Sequence, residues 1–180
     1  YITKPFNMDE VYARVETQLK LYFMAEELRI LVKHQTEEIY NSQMATIMAM
    51  SKLVQSRDKY TGTHLEKVQD YVKSLTNYLY FNSEYSKLIN KEFTRDIYNA
   101  SSLHDIGKMG IEDAILRKPG KFSPEEYEIM KTHTRIGRDT LEEVFRFYPN
   151  NRFVEMGINI ALYHHERWDG KGYPEYLSGD

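Results

Sequence analysis

The stretch ALYHHERWDGKGYP, residues 161–174, combines two adjacent histidines, a glutamate and a glycine-rich turn. A tight turn needs its glycines, but it does not need His164, His165 or Glu166. Imidazole and carboxylate groups are side chains that bind divalent metal ions. The stretch therefore raises the question of which other residues meet these groups in the folded chain.

The composition limits the class of protein. Of 180 residues, 41% are hydrophobic and 28% charged, and the formal net charge is -3, which predicts no general attraction to DNA. Cysteine is absent, so disulfides and thiolate metal sites are excluded. No apolar run approaches the roughly 20 residues that cross a bilayer. We therefore expect a cytoplasmic protein without membrane insertion.

Helical periodicity dominates the chain and predicts an all-α fold after a short N-terminal strand and loop. From Met8 to about Gln55 there is neither proline nor glycine, which predicts one long helix with Asn7 as N-cap and Glu10 three residues later. Further helices are expected over residues 65–79, from Thr94 through His104 with Gly107 ending it, from the N-cap Ser123 through Leu141, and from about Phe153 to the quoted stretch.

One side of the long helix carries residues at alternating four- and three-residue steps, which is a heptad seam. The seam residues are Leu21, Ala25, Leu28, Val32, Gln35 and Ile39. Two readings are open. The seam is either the face of an amphipathic helix that lies on the domain, or a coiled coil that forms a homodimer.

Five of the six histidines fall near helix ends or on apolar faces: His64, His104, His133, His164 and His165. One such histidine is usually a hydrogen-bonded core residue, but five of them, with Asp105 and Glu166 alongside, predict a metal centre. Adjacent residues on a helix are offset by about 100°, so His104 and Asp105 can reach one cluster. The residues alone leave Fe, Mn, Zn and Ni open.

The motif HDIGK, residues 104–108, together with HHERWDGKGYP, resembles the HD-GYP family of the HD metal-dependent phosphohydrolase superfamily. Members are bacterial phosphodiesterases that act on cyclic di-GMP. The likeness covers residues 50–180 and includes Arg57-Asp58, Thr61-Gly62 and Lys118-Pro119-Gly120. It implies an HD-domain helical bundle over residues 51–180, preceded by a helical linker over residues 21–50.

The resemblance also implies a binuclear site for two divalent metal ions, Fe or Mn. Asp105 would bridge the ions, and the remaining positions would be filled by His64, His104, His133, His164 and His165. Lys108 would neutralise charge that develops on the phosphate oxygens. Lys118 is either a contact for the second phosphate of the substrate or a solvated surface charge.

The GYP loop implied by the resemblance contains Asp169, Gly170, Gly172, Tyr173 and Pro174. Asp169 and Tyr173 are expected to shape this loop, which is also a candidate docking site for protein partners. Trp168 is either a core residue or a stacking surface for guanine. Glu166 is expected to orient an imidazole through its free N–H.

The sequence departs from the family pattern at three points. Tyr60 stands where some members have a glutamate that recruits a third metal, so we expect two metals. Lys67 replaces the usual arginine. A further ligand aspartate of the family lies beyond the GYP loop, and Asp180 is too close to Pro174 to be that residue. A chain without that aspartate is expected to bind metal poorly and to be inactive.

Residues 1–20, YITKPF followed by MDEVYARV and on to Lys20, resemble the last strand and helix of a response-regulator receiver domain. The resemblance makes Lys4 the phosphate-sensing lysine and Lys4-Pro5 a cis peptide bond, and it implies an upstream histidine kinase. Both ends of the sequence interrupt a pattern. We therefore expect a piece of a longer two-component response regulator.

The function implied by the resemblance is hydrolysis of cyclic di-GMP to linear pGpG, to GMP, or to both, by a hydroxide that two metals activate. A second enzymatic reading is an HD phosphohydrolase that acts on another cyclic dinucleotide. A non-enzymatic reading is a degenerate HD-GYP module that binds the dinucleotide or partner proteins without hydrolysis.

Overall fold

The computed structural model describes residues 7–57, 63–82 and 84–179. These residues form helices and loops, with one isolated antiparallel bridge between Asp169 and Ser178. The all-α prediction is therefore confirmed. The expected strand and loop at residues 1–6, with Lys4 and its peptide bond to proline, lie outside the described residues.

Ten helices follow one another along the described residues. The α-helices are α1 (Met8–Arg57), α2 (His64–Asn82), α3 (Lys91–Ala100), α4 (Asp113–Leu116), α5 (Pro124–Lys131), α6 (His133–Phe147) and α7 (Arg152–Tyr163). The 3-10 helices are η1 (Glu84–Lys87), η2 (Ser101–Leu103) and η3 (Ile106–Gly110). In the described parts of the chain, each helix is too short or too polar to traverse a bilayer.

Contacts between residues divide the chain into two compact units, residues 1–46 and residues 47–180. In the first unit, the side chain of Asn7 accepts a hydrogen bond from the Asp9 N–H at 3.0 Å, so the predicted N-cap is confirmed. The Glu10 carboxylate pairs with Arg14 at 2.6 Å. Seam residues such as Leu28 are more than half exposed, so the seam is accessible in a single copy of the chain.

The second unit has its core where α6 packs on α7 and η3, and α3 also packs on α7. Gly107 permits η3 to approach the backbone of α6 closely. A Cβ atom at Gly107 would lie 1.9 Å from the carbonyl oxygen of His133 and 2.5 Å from the backbone nitrogen of Gly137. Only glycine fits there, so η3 lies directly against the start of α6.

The helix predicted from Thr94 through His104 is wrong in its bounds. It begins at Lys91, where the Asn90 side chain accepts a hydrogen bond from the Phe93 N–H at 2.8 Å, and its α-helical part ends at Ala100. The hydroxyls of two serines, Ser101 and Ser102, then donate to the carbonyls of Tyr98 and Asn99, each at 2.7 Å. Such local bonds compete with helix continuation, and the chain tightens into η2. Gly107 consequently lies within η3.

The helix predicted from Ser123 through Leu141 begins as expected but is two helices. Ser123 and Glu126 form a capping box, with the Ser123 hydroxyl accepting the Glu126 N–H at 3.2 Å. The helix ends at Lys131, where the Thr132 hydroxyl donates to the Ile129 carbonyl at 2.7 Å. This junction puts His133 at the start of α6.

Candidate metal centre

The structure brings all six predicted metal-ligand residues into one region of the second unit. Each lies at or next to a helix end, where the direction of the chain changes. His64 begins α2, His104 and Asp105 connect η2 to η3, His133 begins α6, and His164 and His165 follow α7. Five separate helices therefore converge on one point, which is the arrangement that a helical metal site requires.

The ligand atoms form two groups that share Asp105. One group is Asp105, His133, His164 and His165, and the other is His64, His104 and Asp105; within each group the donor atoms lie within 4.8 Å of one another. One carboxylate oxygen of Asp105, Oδ1, lies 3.6 Å from Nε2 of His133 and 3.6 Å from Nε2 of His164. The other, Oδ2, lies 3.2 Å from Nε2 of His104. The two oxygens thus face different histidines.

Backbone carbonyls fix the orientation of three imidazoles. Nδ1 of His104 lies 2.8 Å from the Ser101 carbonyl, and Nδ1 of His133 lies 2.6 Å from the Met130 carbonyl. Nδ1 of His164 lies 3.1 Å from the carbonyls of the residues three and four positions earlier. A carbonyl only accepts, so Nδ1 carries a proton in each ring, and Nε2 is the nitrogen that faces the cluster. In a neutral ring, Nε2 then keeps a lone pair for a metal.

The contact between His133 and His164 tests whether the cluster suits a metal. Their Nε2 atoms are 3.2 Å apart. With both Nδ1 atoms protonated, two lone pairs face each other at this distance and repel, unless a proton or a cation lies between them. Neutral imidazoles with their other nitrogen held by a carbonyl, plus a carboxylate, are the donor set that divalent metals take. The residues fit a metal.

Burial keeps the cluster in the protonation states that bind metal. Burial lowers the pKa of His133 to about 4. Burial, followed by the neighbouring His164, lowers the pKa of His165 to about 3. For Asp105, burial would raise the pKa, but the His104 and His164 rings beside its carboxylate and the Lys108 charge together hold the pKa well below its usual range. At neutral pH these two imidazoles are neutral and the carboxyl is ionised.

Lys108 of η3 points back at the shared carboxylate. Its side chain is about as buried as that of Asp105, and its Nζ lies 2.9 Å from Asp105 Oδ2. A buried ammonium group needs such a partner. Lys108 therefore lies at the cluster, beside the shared carboxylate.

The cluster opens into a cavity of about 430 Å³. Its lining includes polar residues, which are Lys108, Asp105, Ser101 and four of the histidines, and apolar residues, which are Val68, Val72, Ile97 and Ile160. The sequence analysis did not assign the apolar residues to the site. The sequence of α2 indicates part of this lining, because Val68 and Val72 follow His64 at steps of four residues and therefore share its helix face.

The loop after His165 is held from both sides. The Tyr173 ring stacks on the His165 ring with centroids 4.6 Å apart and an interplanar angle of 20°. The Glu166 carboxylate accepts the N–H groups of Glu175 at 2.7 Å and Leu177 at 3.0 Å. Glu166 therefore holds the returning loop, and these two contacts are with backbone N–H groups and not with an imidazole.

Asp169 shapes the turn, as expected. Its carboxylate pairs with Arg167 at 2.8 Å and accepts the Lys171 N–H at 3.1 Å. Trp168 is 81% exposed, so its reading as a core residue is wrong. Gly179 lies against its ring, since a Cβ there would be 2.1 Å from the indole.

Two of the residues singled out in the sequence lie apart from the cavity. Lys118 follows α4, and its Nζ contacts the Glu126 carboxylate at 2.5 Å; it does not line the cavity. Lys67, on α2, is also absent from the lining. Tyr60 lies outside the described residues.

A family profile described as HD domain matches residues 61–179. The chain is 41% identical over 143 residues to a protein named cyclic di-GMP phosphodiesterase from Vibrio cholerae, covering 79% of this chain and 29% of that protein.

Two further relatives have names that state a regulatory class or a substrate. The cyclic di-GMP phosphodiesterase response regulator RpfG of Xanthomonas campestris is 32% identical over 189 residues, covering 100% of this chain and 46% of that protein. The 3'3'-cGAMP-specific phosphodiesterase 2 of Vibrio cholerae is 38% identical over 131 residues, covering 73% and 23%. The chain spans less than half the length of each of these relatives.

The helical fold and its histidine–aspartate cluster define a protein of the HD class, with the adjacent His104-Asp105 pair in the candidate metal centre. The chain belongs to the HD domain family and, within it, to the HD-GYP group.

Proposed function

We propose that this chain is the hydrolytic module of a cyclic di-GMP phosphodiesterase. The observation that carries the proposal is the shared carboxylate: Asp105 turns one oxygen toward His104 and the other toward His133 and His164. A carboxylate between two groups of imidazoles is suited to two metal ions held close together. The names of the relatives supply the substrate.

The metal ligands in this proposal are the six residues of the cluster. They would hold two divalent ions, Fe or Mn, because imidazole and carboxylate suit those metals and no thiolate is available. When bound, such ions activate water and polarise phosphoryl oxygens.

The remaining side chains bind and orient the substrate. The Lys108 ammonium, which lines the cavity, neutralises charge on a phosphate oxygen there. The apolar lining residues pack against the less polar surface of the dinucleotide and exclude water from the reacting phosphate. Lys118 would contact the second phosphate only after releasing Glu126, so its contribution is expected to be smaller.

Hydrolysis of one 3'–5' phosphodiester consumes one water. The water oxygen bonds to phosphorus, the bond from phosphorus to the ribose 3' oxygen breaks, and that oxygen takes a proton. The product is linear pGpG, and a second hydrolysis gives GMP. A relative specific for 3'3'-cGAMP keeps another cyclic dinucleotide as the second candidate substrate.

The degenerate reading, in which the module binds the dinucleotide or a protein without hydrolysis, has less support. Degeneration would remove ligands or the buried ammonium, whereas His64, His104, Asp105, His133 and Lys108 are all present at the cluster. The two residues His164 and His165 complete it.

For the whole protein, we propose a cytoplasmic two-component response regulator whose receiver domain is phosphorylated by a histidine kinase and contains Lys4. The similarity to RpfG extends over 100% of this chain and supports this context. The exposed heptad seam of α1 supports a homodimer. The exposed Trp168 and Tyr176, which lie on either side of the GYP loop in the sequence, support a protein contact.

The test is metal content by elemental analysis of the full-length protein, paired with hydrolysis of cyclic di-GMP and of 3'3'-cGAMP. We expect about two metals per chain and preferential cleavage of cyclic di-GMP. Asp105→Asn should abolish both properties, whereas Asp139→Asn, an exposed carboxylate on α6, should change neither. Protein that stays metal-free and inactive with Fe and Mn supplied, yet binds the dinucleotide, would establish the degenerate module instead.

A further inference from the structure

The end of α1 is bonded to the segment that carries Lys108. The Arg57 guanidinium donates from Nη1 to the Met109 carbonyl at 3.1 Å and from Nη2 to the Ile111 carbonyl at 3.3 Å. Nη2 also pairs with the Asp113 carboxylate at 2.7 Å. Arg57 itself does not line the cavity. Its bonds instead hold the chain immediately after Lys108.

Arg57 also accepts a hydrogen bond, through its backbone carbonyl. The last residues of a helix leave their carbonyls without intrahelical partners. Arg117 Nε donates to the Arg57 carbonyl at 2.9 Å, which satisfies one of these groups and adds a favourable positive charge at the C-terminus of α1. The backbone and side chain of Arg57 are thus bonded to residues on both sides of α4.

A short series of bonds leads from Arg57 to the cluster. Ile111, whose carbonyl Arg57 binds, donates its own N–H to the Lys108 carbonyl at 3.1 Å. The Lys108 N–H donates to the Asp105 carbonyl at 3.0 Å, and its ammonium holds Asp105 Oδ2 at 2.9 Å. A displacement of the chain at Ile111 therefore moves the backbone from which Lys108 reaches the shared carboxylate.

The other side of this segment leaves little freedom. Gly107 lies against α6 at a distance that admits no side chain, and Ile111 is 2% exposed in a cluster with Leu116 and Met130. η3 is therefore held between α6 and the Arg57 guanidinium. Arginine suits this position because two nitrogens of its planar fork reach two carbonyls and a carboxylate at once. A lysine ammonium donates from a single nitrogen and lacks that fork geometry.

We propose that Arg57 is a positioning residue for the metal centre: through η3 it sets the place of Lys108 and Asp105. The inference rests on the proposed function for its catalytic part. Because the contact lies outside the cluster, losing it should misplace ligands without removing any. Partners that orient metal ligands typically contribute roughly 10- to 100-fold in metal affinity or activity.

The experiment compares Arg57→Met, Arg57→Lys and Asp113→Asn with Lys52→Met. Lys52 is the matched control, since it lies on the same helix and pairs with Glu66 at 3.2 Å without touching η3. We expect Arg57→Met to weaken Mn binding and lower kcat by roughly 10- to 100-fold with little change in KM. Arg57→Lys should have an Mn affinity and a kcat between those of Arg57→Met and the wild type. Asp113→Asn should be nearer the wild type in both, because both bonds from Arg57 to the carbonyls remain.

Amide hydrogen exchange of the metal-free chain gives a readout that is independent of activity. In Arg57→Met, exchange at the Ile111 and Lys108 amides should accelerate by roughly tenfold, whereas Lys52→Met leaves it unchanged. A variant with a lower melting temperature but wild-type Mn affinity, kcat and exchange would overturn the positioning role. If the wild type binds no metal, the proposed function fails, and the exchange data alone decide whether Arg57 holds η3.

Discussion

The cluster around Asp105 and the first part of α1, residues 8–46, differ in what fixes their side chains. Ion pairs in the helix join residues three or four positions apart, such as Arg14 with Glu10 and Lys20 with Glu16. Asp105, by contrast, contacts His133 and His164, which are far away in sequence. Local pairs stabilise a helix by about 0.2–0.5 kcal/mol each, but only distant contacts assemble a site.

The two regions also differ in the fate of their apolar groups. The cluster is backed by buried residues such as Leu65 and Ala161, both 0% exposed. Leu21, Leu28 and Val32 in α1 are each more than half exposed. Substitutions around the cluster should therefore change metal binding, hydrolysis and the free energy of unfolding. Substitutions in residues 8–46 should change only the association of the chain into the proposed dimer.

The largest expected effect is the loss of metal and of hydrolysis in variants that remove a ligand from one of the two groups. His104→Gln removes a ligand from one group and His165→Gln from the other, so each variant should lose about one of two metals, with hydrolysis reduced roughly thousandfold. Asp105→Asn should lose both metals. Elemental analysis after dialysis checks this, with His34→Gln on α1 as the control. Complete metal loss in both histidine variants would contradict two groups joined by a shared carboxylate.

The next effect tests the close packing behind the cluster. Gly107→Ala would put a Cβ atom 1.9 Å from the His133 carbonyl oxygen, so η3 or α6 must shift. We expect a loss of about 3 kcal/mol in the free energy of unfolding, measured by urea denaturation.

The control is Gly120→Ala, which meets no atom within 4 Å but has a positive φ of 99°. Backbone strain there should cost about 1 kcal/mol. Equal losses in both variants would show that η3 does not pack on α6 at this distance.

A pH effect should follow from the buried imidazoles of the metal-free protein. The pKa of His133 is about 4 in the folded chain, below its ordinary 6.5, so the unfolded chain binds more protons between these values. Stability should therefore fall as pH drops from 6.5 toward 4, by at most about 1.4 kcal/mol per pH unit for one group. Urea titrations of wild type and His133→Gln check it; an equal slope in the variant would assign the effect to other groups.

The smallest effect on stability is expected in α1. Leu28→Glu combined with Val32→Glu should change the unfolding free energy of residues 47–180 by less than about 0.5 kcal/mol, because both side chains are exposed. The same change should dissociate the proposed dimer in analytical ultracentrifugation. Ile30→Glu, exposed but off the seam, is the control. A wild type that is monomeric at every concentration would remove the dimer from the proposal.

Much of the fold was predictable because helix signals are local. Asn7 and Ser123 were identified as N-caps from their own neighbourhoods, and the run without proline or glycine indicated α1. The break at Thr132 and the early end of α3 at Ala100 were missed. There, hydroxyls bond to nearby carbonyls, and helical periodicity does not register that competition.

The sequence by itself determined the residue types of the centre: the pair His104-Asp105, the pair His164-His165 and the turn after them, each readable as a short motif. Only the tertiary structure decided that Asp105 divides its two oxygens between separate histidines, that Glu166 holds the loop, and that Arg57 holds η3. Those relations depend on atoms brought within about 3 Å by the packing of distant helices, and helical periodicity carries no information about such distances.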